Sequence, residues 1–151
     1  MPIKATFIGH STVLVECGNT KFLTDPYFNN SLFMQKRKTS LPINIADLEP
    51  PNVILLSHQH PDHFDINSFK YIPCKVPIVC PLNTSGYIRK YLANPTIEID
   101  NYASHTLPTG EQITALPAVH SGGRLLPFSL QKKASSYIVK CSNGCFYFCG
   151  D

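Results

Sequence analysis

Three of the six histidines, His58, His60 and His63, fall within six residues and enclose Asp62 in the stretch Ser57-His58-Gln59-His60-Pro61-Asp62-His63. Neutral imidazole and carboxylate are the ligands expected for zinc and its first-row neighbours. The stretch follows Val53-Ile54-Leu55-Leu56, an apolar run that reads as a buried strand. Side chains of an extended segment repeat every two residues, so His58, His60 and Asp62 can project to one side, with His63 turning in as the strand ends. Pro61 fixes its own φ and keeps His60 out of the helical region, which stiffens the loop. A polar turn rich in histidine is the plain alternative. Four ligands at His-x-His-x-Asp-His spacing after a strand point instead to a metal site.

His120 closes the run 112–119 and precedes Ser121-Gly122-Gly123, where backbone can approach a ligand closely. With His58 and His60 it would complete a three-histidine site that leaves a fourth position for water. Zinc in such a site lowers the pKa of that water from ~15.7 to about 7, making hydroxide available at neutral pH. That chemistry suits an ester, lactone, amide or phosphodiester, and the residues do not choose between carbon and phosphorus as electrophile. Asp62 would also be catalytic, orienting the nucleophile or passing a proton. Asp25 ends a strand in front of Pro26; its carboxylate either accepts hydrogen bonds from the metal loop or closes an Asx turn. Arg124 follows the Gly-Gly turn, and its guanidinium either grips a substrate phosphate or carboxylate or sits on the surface. His105 fits no motif and reads as an ordinary loop or strand histidine.

The elements that must position these groups are mostly strands. Residues 3–8, 12–17 and 20–24 read as three strands broken at Gly9-His10 and Gly18-Asn19, the second a hairpin signal. Residues 26–52 hold four of the 13 prolines and no helical period. Within them Leu32-Phe33-Met34 precedes Lys36-Arg37-Lys38, either a solvated loop with one buried anchor or a flap that contacts an anionic or acyl substrate. Asp65 is placed to cap a short helix over 66–71, stopped by Pro73, and Asn83 to cap another through Leu92. Residues 77–81, 96–99 and 112–119 read as strands. Residues 135–141 and 145–149 form a hairpin about Ser142-Asn143-Gly144. The pattern predicts α+β or mixed α/β: one mixed sheet with helices on one face.

A chain of 151 residues suits one domain, and its 43% hydrophobic content can supply a core. The net charge of +3 is not concentrated as a nucleic-acid face would require, so no nucleic-acid partner is expected. There is no signal peptide and no run near the ~20 apolar residues that span a bilayer. A soluble, cytoplasmic protein is expected. Its six cysteines (17, 74, 80, 141, 145 and 149) then read as free thiols, mostly buried in strand-like runs.

The motif His58-x-His60-x-Asp62-His63 resembles the signature of the metallo-β-lactamase superfamily. Gly9-His10-Ser11, Thr24-Asp25-Pro26, Pro117-Ala118-x-His120-Ser121-Gly122 and Gly150-Asp151 match in the same order. Together they resemble the metal-dependent hydrolases similar to ascorbate-6-phosphate lactonase and N-acyl phosphatidylethanolamine phospholipase D. The resemblance implies an αββα sandwich and two metal ions, zinc foremost, with manganese or iron as alternatives. It implies that Asp62, His63 and Asp151 form a second site, with Asp151 bridging the ions, and that His10, by its position in the Gly9-His10 break alone a turn histidine exposed to water, lies instead at the rim. It also implies that residues 1–151 are the N-terminal portion of one domain. The second half, with another sheet and the last histidine ligand, would then be missing or come from another polypeptide, so a complementing C-terminal half or a homo-oligomer is the expected partner.

The leading expectation is a metal-dependent hydrolase of small anionic or acyl substrates. A nucleic-acid phosphodiesterase of the same superfamily and a non-catalytic metal-binding module are the rivals. Di-iron oxidoreductases that resemble the motif carry glutamate where this chain has His60.

Overall fold

The computed structural model describes residues 2–32, 34–120 and 134–151. Phe33 of the expected flap, Ser121 and Gly122 of the His120 motif, and Arg124 lie outside the described residues. Strands β1 (Lys4–Gly9), β2 (Thr12–Cys17) and β3 (Thr20–Thr24) form an antiparallel meander. A small hairpin of β4 (Ser31–Leu32) and β5 (Gln35–Lys36) stands apart. Strands β6 (Val53–Leu55), β7 (Ile78–Pro81) and β8 (Thr96–Ile99) then add in parallel, giving the order β1-β2-β3-β6-β7-β8. Strands β9 (Ser104–Thr106), β10 (Gln112–Ala118), β11 (Ala134–Cys141) and β12 (Gly144–Phe148) build a separate antiparallel sheet, ordered β12-β11-β10-β9.

The continuous apolar runs follow from burial on both faces. Val53 and Leu55 of β6 join Phe22, Val79, Ile113, Tyr137 and Val139 in the core between the sheets. Ile54 and Leu56 point the other way, to Leu23, Ile78, Phe64, Phe69 and Ile88. Truncating such a side chain to alanine costs about 2–5 kcal/mol. Tyr137 crosses the inter-sheet core, its hydroxyl donating to the carbonyl oxygen of Leu56 at 2.8 Å. The Ser135 N–H donates to the carbonyl oxygen of Ser57 at 3.0 Å. The second sheet therefore grips the strand end from which the histidine loop departs.

Three expectations need correction. The chain forms two facing sheets, not one; β9–β12 associate through contacts far apart in sequence, which local pattern does not reveal. The helix expected from Asn83 through Leu92 shrinks to α1 (Ser85–Ile88). Asn83 sits at φ +66 before it, and Glu98, not Asn83, accepts the Ser85 N–H at 2.7 Å. The cysteines differ too. Cys17 and Cys141 form a disulfide between β2 and β11, their Cα atoms 6.2 Å apart. Only Cys80 is a buried free thiol, and burial pushes it up to about 12; Cys74, Cys145 and Cys149 are exposed. On β12 the period of two turns Phe146 and Phe148 toward the core and Cys145 away from it. The expected helix over 66–71 is a 3₁₀ helix (Ile66–Tyr71), and the Asp65 carboxylate caps it by accepting the N–H groups of Asn67 and Ser68.

Candidate metal centre

The parallel pairing of β3 with β6 puts their C-terminal ends side by side, and the site is built there. The Asp25 N–H donates to the carbonyl oxygen of Leu55 at 3.0 Å, so Asp25 begins one exit as the histidine loop begins the next. The loop then tightens, with the N–H groups of His63 and Phe64 both reaching the His60 carbonyl at 3.0 and 2.8 Å. Asp25, Ser57, His58 and His63 are all buried.

Asp25 is the anchor. Its Oδ1 accepts the Ser57 N–H at 2.7 Å, and its Oδ2 accepts the Ser57 hydroxyl at 2.5 Å and faces His63 Nδ1 at 2.6 Å. Ser57 Oγ lies 2.8 Å from His58 Nδ1. With the Ser57 proton committed to Asp25, His58 donates its Nδ1–H to Ser57, and His63 donates its Nδ1–H to Asp25. Both rings therefore turn an Nε2 lone pair outward, an assignment fixed by the hydrogen-bond network. In the sequence, Ser57 is marked only by its position directly before the first histidine.

Three imidazole nitrogens converge above this floor. His58 Nε2 lies 2.9 Å from His60 Nδ1, and His120 Nε2 lies 3.1 Å from the same atom. Tetrahedral zinc with bonds of ~2.0–2.1 Å spaces its nitrogen ligands by roughly 3.3 Å, close to this arrangement. Burial, then the neighbouring rings of His63, His60 and His120, lower His58 to about 3, so it stays neutral and its lone pair free. The donor set fits a divalent cation.

A second cluster adjoins the first. His10 Nε2 lies 3.0 Å from Asp62 Oδ2, and His63 Nε2 lies 3.7 Å from the same oxygen. Asp151 faces both groups: its Oδ1 is 3.1 Å from His63 Nε2, and its Oδ2 is 3.8 Å from His120 and 4.0 Å from His58. Gly150 makes that reach possible. It has φ +66, and a Cβ there would lie 2.6 Å from the Cβ of Ser57. His10 and Asp25 also have positive φ, +57 and +29, and such strained backbone costs about 1–3 kcal/mol per residue and gathers at functional sites.

The electrostatics agree with the geometry. Burial pushes the Asp25 carboxyl up, against the pull of His63 and Ser57. Burial by itself would lower His63, but the hydrogen bond and charge of Asp25, with Asp151 and Asp62, leave it raised. Burial would likewise raise Asp62, yet the hydrogen bond from His10, a second from its own backbone and the nearby imidazoles hold it below the usual carboxylate range.

The structure thus brings together His58, His60, His120 and Asp151, and beside them Asp62, His63 and His10, over the Asp25 floor. His105 is elsewhere, opposite Ile113 in the β9–β10 ladder. In the expected flap, Lys36 and Lys38 are exposed, whereas Arg37 donates to the carbonyl oxygens of Tyr27 and Asn29, each at 3.2 Å. Arg37 is an anchor.

Residues 20–151 match the family described as the beta-lactamase superfamily domain. The chain belongs to the metallo-β-lactamase superfamily, in the branch that holds the N-acyl-phosphatidylethanolamine-hydrolyzing phospholipases D and a group of metal-dependent hydrolases. It is 32% identical to N-acyl-phosphatidylethanolamine-hydrolyzing phospholipase D 1 of Caenorhabditis elegans, over 97% of this chain and 46% of that protein. Its fold is similar to a possible metal-dependent hydrolase from Veillonella parvula (TM-score 0.75, 20% identity, 97% of this chain, 62% of that one). It is also similar to the diiron β-hydroxylase CmlA of Streptomyces venezuelae (TM-score 0.71, 18% identity, 99% of this chain, 30% of that one). The chain spans about half the length of the worm relative. Among the described residues, no helix is long and apolar enough to cross a membrane.

Proposed function

We propose that this chain carries the metal-binding part of a metal-dependent hydrolase that cleaves an ester, lactone or phosphodiester bond in a small anionic or acyl substrate, with zinc as the metal. The observation that carries this reading is the convergence of the His58, His60 and His120 nitrogens over the hydrogen-bonded floor of Asp25 and Ser57. The relative from Caenorhabditis elegans, by its name, hydrolyses a phospholipid, which supports an acyl or phosphate-bearing substrate.

His58, His60 and His120 would hold one ion; Asp62 and His63 would hold a second, with Asp151 between them. Bound there, a divalent cation supplies Lewis acidity, making water acidic enough to attack near neutral pH and steadying charge on a carbonyl or phosphoryl oxygen. The chain's own groups do the remaining work. Ser57 and Asp25 fix the tautomers of His58 and His63, so that lone pairs and not protons face the site. Asp62, a quarter exposed, can orient a water or take its proton. A cavity between His10, Tyr27 and the β4–β5 residues Ser31, Leu32 and Lys36 offers room for substrate.

Metal content and turnover test the reading together. The natural chain is expected to copurify with zinc and to hydrolyse a member of an ester, lactone and phosphodiester panel, with both lost in His60→Ala. Bound metal with no turnover across the panel would favour a non-catalytic metal-binding module. A chain that takes up no metal would sink the proposal.

A further inference from the structure

His10 stands outside the histidine loop, yet the fold invests heavily in its placement. It adopts φ +57 directly after Gly9 at φ +151. The turn is fastened to the strand that carries Asp25. Thr24 Oγ1 donates to the Ser11 carbonyl oxygen at 2.7 Å and accepts the Val13 N–H at 2.9 Å, and Thr12 Oγ1 donates to the Asp25 carbonyl oxygen at 2.8 Å. From outside, Arg37 closes the turn. Its guanidinium lies 5.6 Å from the centre of the Tyr27 ring, and a Cβ on Gly9 would meet Nη1 of Arg37 at 2.6 Å. The His10 ring is thereby held between Tyr27 and His63, with ring centres 5.5 and 5.7 Å away.

What the ring reaches is the Asp62 carboxylate. Among the described residues, His10 is the one side chain within hydrogen-bonding distance of it, Nε2 to Oδ2 at 3.0 Å. Asp62 follows Pro61 at the half-buried lip of the loop, and beyond His10 its carboxylate is held only by a hydrogen bond from its own backbone, which leaves the His10 ring as the contact from outside the loop among the described residues. We propose that His10 is a positioning residue: its Nε2–H, donated to Asp62 Oδ2, sets the angle at which that carboxylate meets the cation site it shares with His63 and Asp151. This rests on the metal reading above and adds to it a residue from the first β-turn. A distance of 3.0 Å is that of an N–H···O bond. The role is that of the partners that orient metal ligands from behind, whose loss typically costs 10–100-fold in metal affinity.

The test is zinc affinity of the intact natural chain, measured by competition with a chromophoric chelator, and the absorption spectrum after cobalt(II) substitution. His10→Ala is expected to weaken the more weakly held zinc by about 10–100-fold and leave the tighter one unchanged. His10→Gln, whose amide can still donate, should return affinity to within roughly threefold of the wild type. In an Asp62→Ala background, His10→Ala should change affinity by less than about twofold, because the group it acts through is gone. That cycle separates positioning from a general loss of folding. The proposal is overturned if His10→Ala binds both ions as the wild type does. It is overturned equally if Ala and Gln both lose one zinc outright and alter the cobalt spectrum, since His10 would then be a ligand. A wild-type chain that binds no zinc removes the metal reading and this proposal together. A wild type that binds zinc but hydrolyses nothing leaves the affinity comparison decisive for His10.

Discussion

The Asp25 carboxylate lies 2.6 Å from His63 Nδ1, beneath a loop in which Asp25 also holds the backbone and hydroxyl of Ser57. One buried acid thus sets the direction of two imidazoles, His63 directly and His58 through Ser57. Asp25→Asn keeps the volume but offers an N–H to a partner that already donates, so one hydrogen bond becomes a repulsion. Zinc affinity is expected to fall by roughly 10–100-fold, measured by chelator competition. Affinity within about twofold of the wild type would show that the rings are oriented by packing alone.

Gly150 tests the other side of the centre. Its backbone passes so close to Ser57 that a Cβ would meet the serine Cβ at 2.6 Å, and its φ is +66. Gly150→Ala meets both obstacles; Gly150→Asn tolerates the left-handed backbone but still carries the Cβ. Both are expected to lower stability by about 1–3 kcal/mol and to weaken zinc binding, as seen in thermal melts and titration. If Asn alone behaves like glycine, the backbone conformation decides and the contact with Ser57 does not.

Much of the centre could be read locally, because its logic is local. The histidine loop follows β6, whose apolar run and period of two put ligands at its exit, and Asp25 advertises itself as the last residue before Pro26. His120 and Asp151 could be singled out as residues, yet their meeting with His58 depends on β10 and β11 packing across the inter-sheet core, which no short window encodes. The same reason hid the second sheet and the Cys17–Cys141 pair, separated by 124 residues. Arg37 looked like part of a basic surface triplet because charge is visible in sequence and the carbonyl oxygens that receive it are not. His10 could be read only as a turn residue or a rim residue; its bond to Asp62 is a tertiary fact.

The disulfide gives a prediction of its own. It ties β2 to β11, hence one sheet to the other, and closes a loop spanning most of the chain. Under non-reducing denaturation, alkylation should label the other four cysteines only. Reduction, or Cys141→Ser, should destabilise the fold by about 2–5 kcal/mol, read from denaturant melts. Six labelled thiols in the natively purified chain would show that the two cysteines pack without bonding.

Glu98 offers a test through pH. Its Oε1 accepts the Ser85 N–H at 2.7 Å, and the carboxylate also draws on the backbone of Asn83 and Thr84, joining β8 to the start of α1. Burial would raise its pKa, but these hydrogen bonds outweigh that and leave it below its ordinary value of 4.5. The sign follows: the folded state holds the proton less readily than the unfolded chain. The stabilisation is therefore fully present above pH 4.5 and is lost as pH falls through that value toward the lower folded one. Glu98→Gln removes the charge and keeps the shape, so it should cost about 1–2 kcal/mol at neutral pH, below the full scale of hydrogen bonds to a charged group because solvent screens the partly exposed carboxylate. The gap between the two proteins should close as pH falls through the lowered folded value, because the wild-type glutamate is then protonated as well. Other carboxylates titrate identically in both chains and cancel in the difference. A gap that persists unchanged at acid pH would mean that Glu98 stabilises the β8–α1 junction by packing and not by its charge.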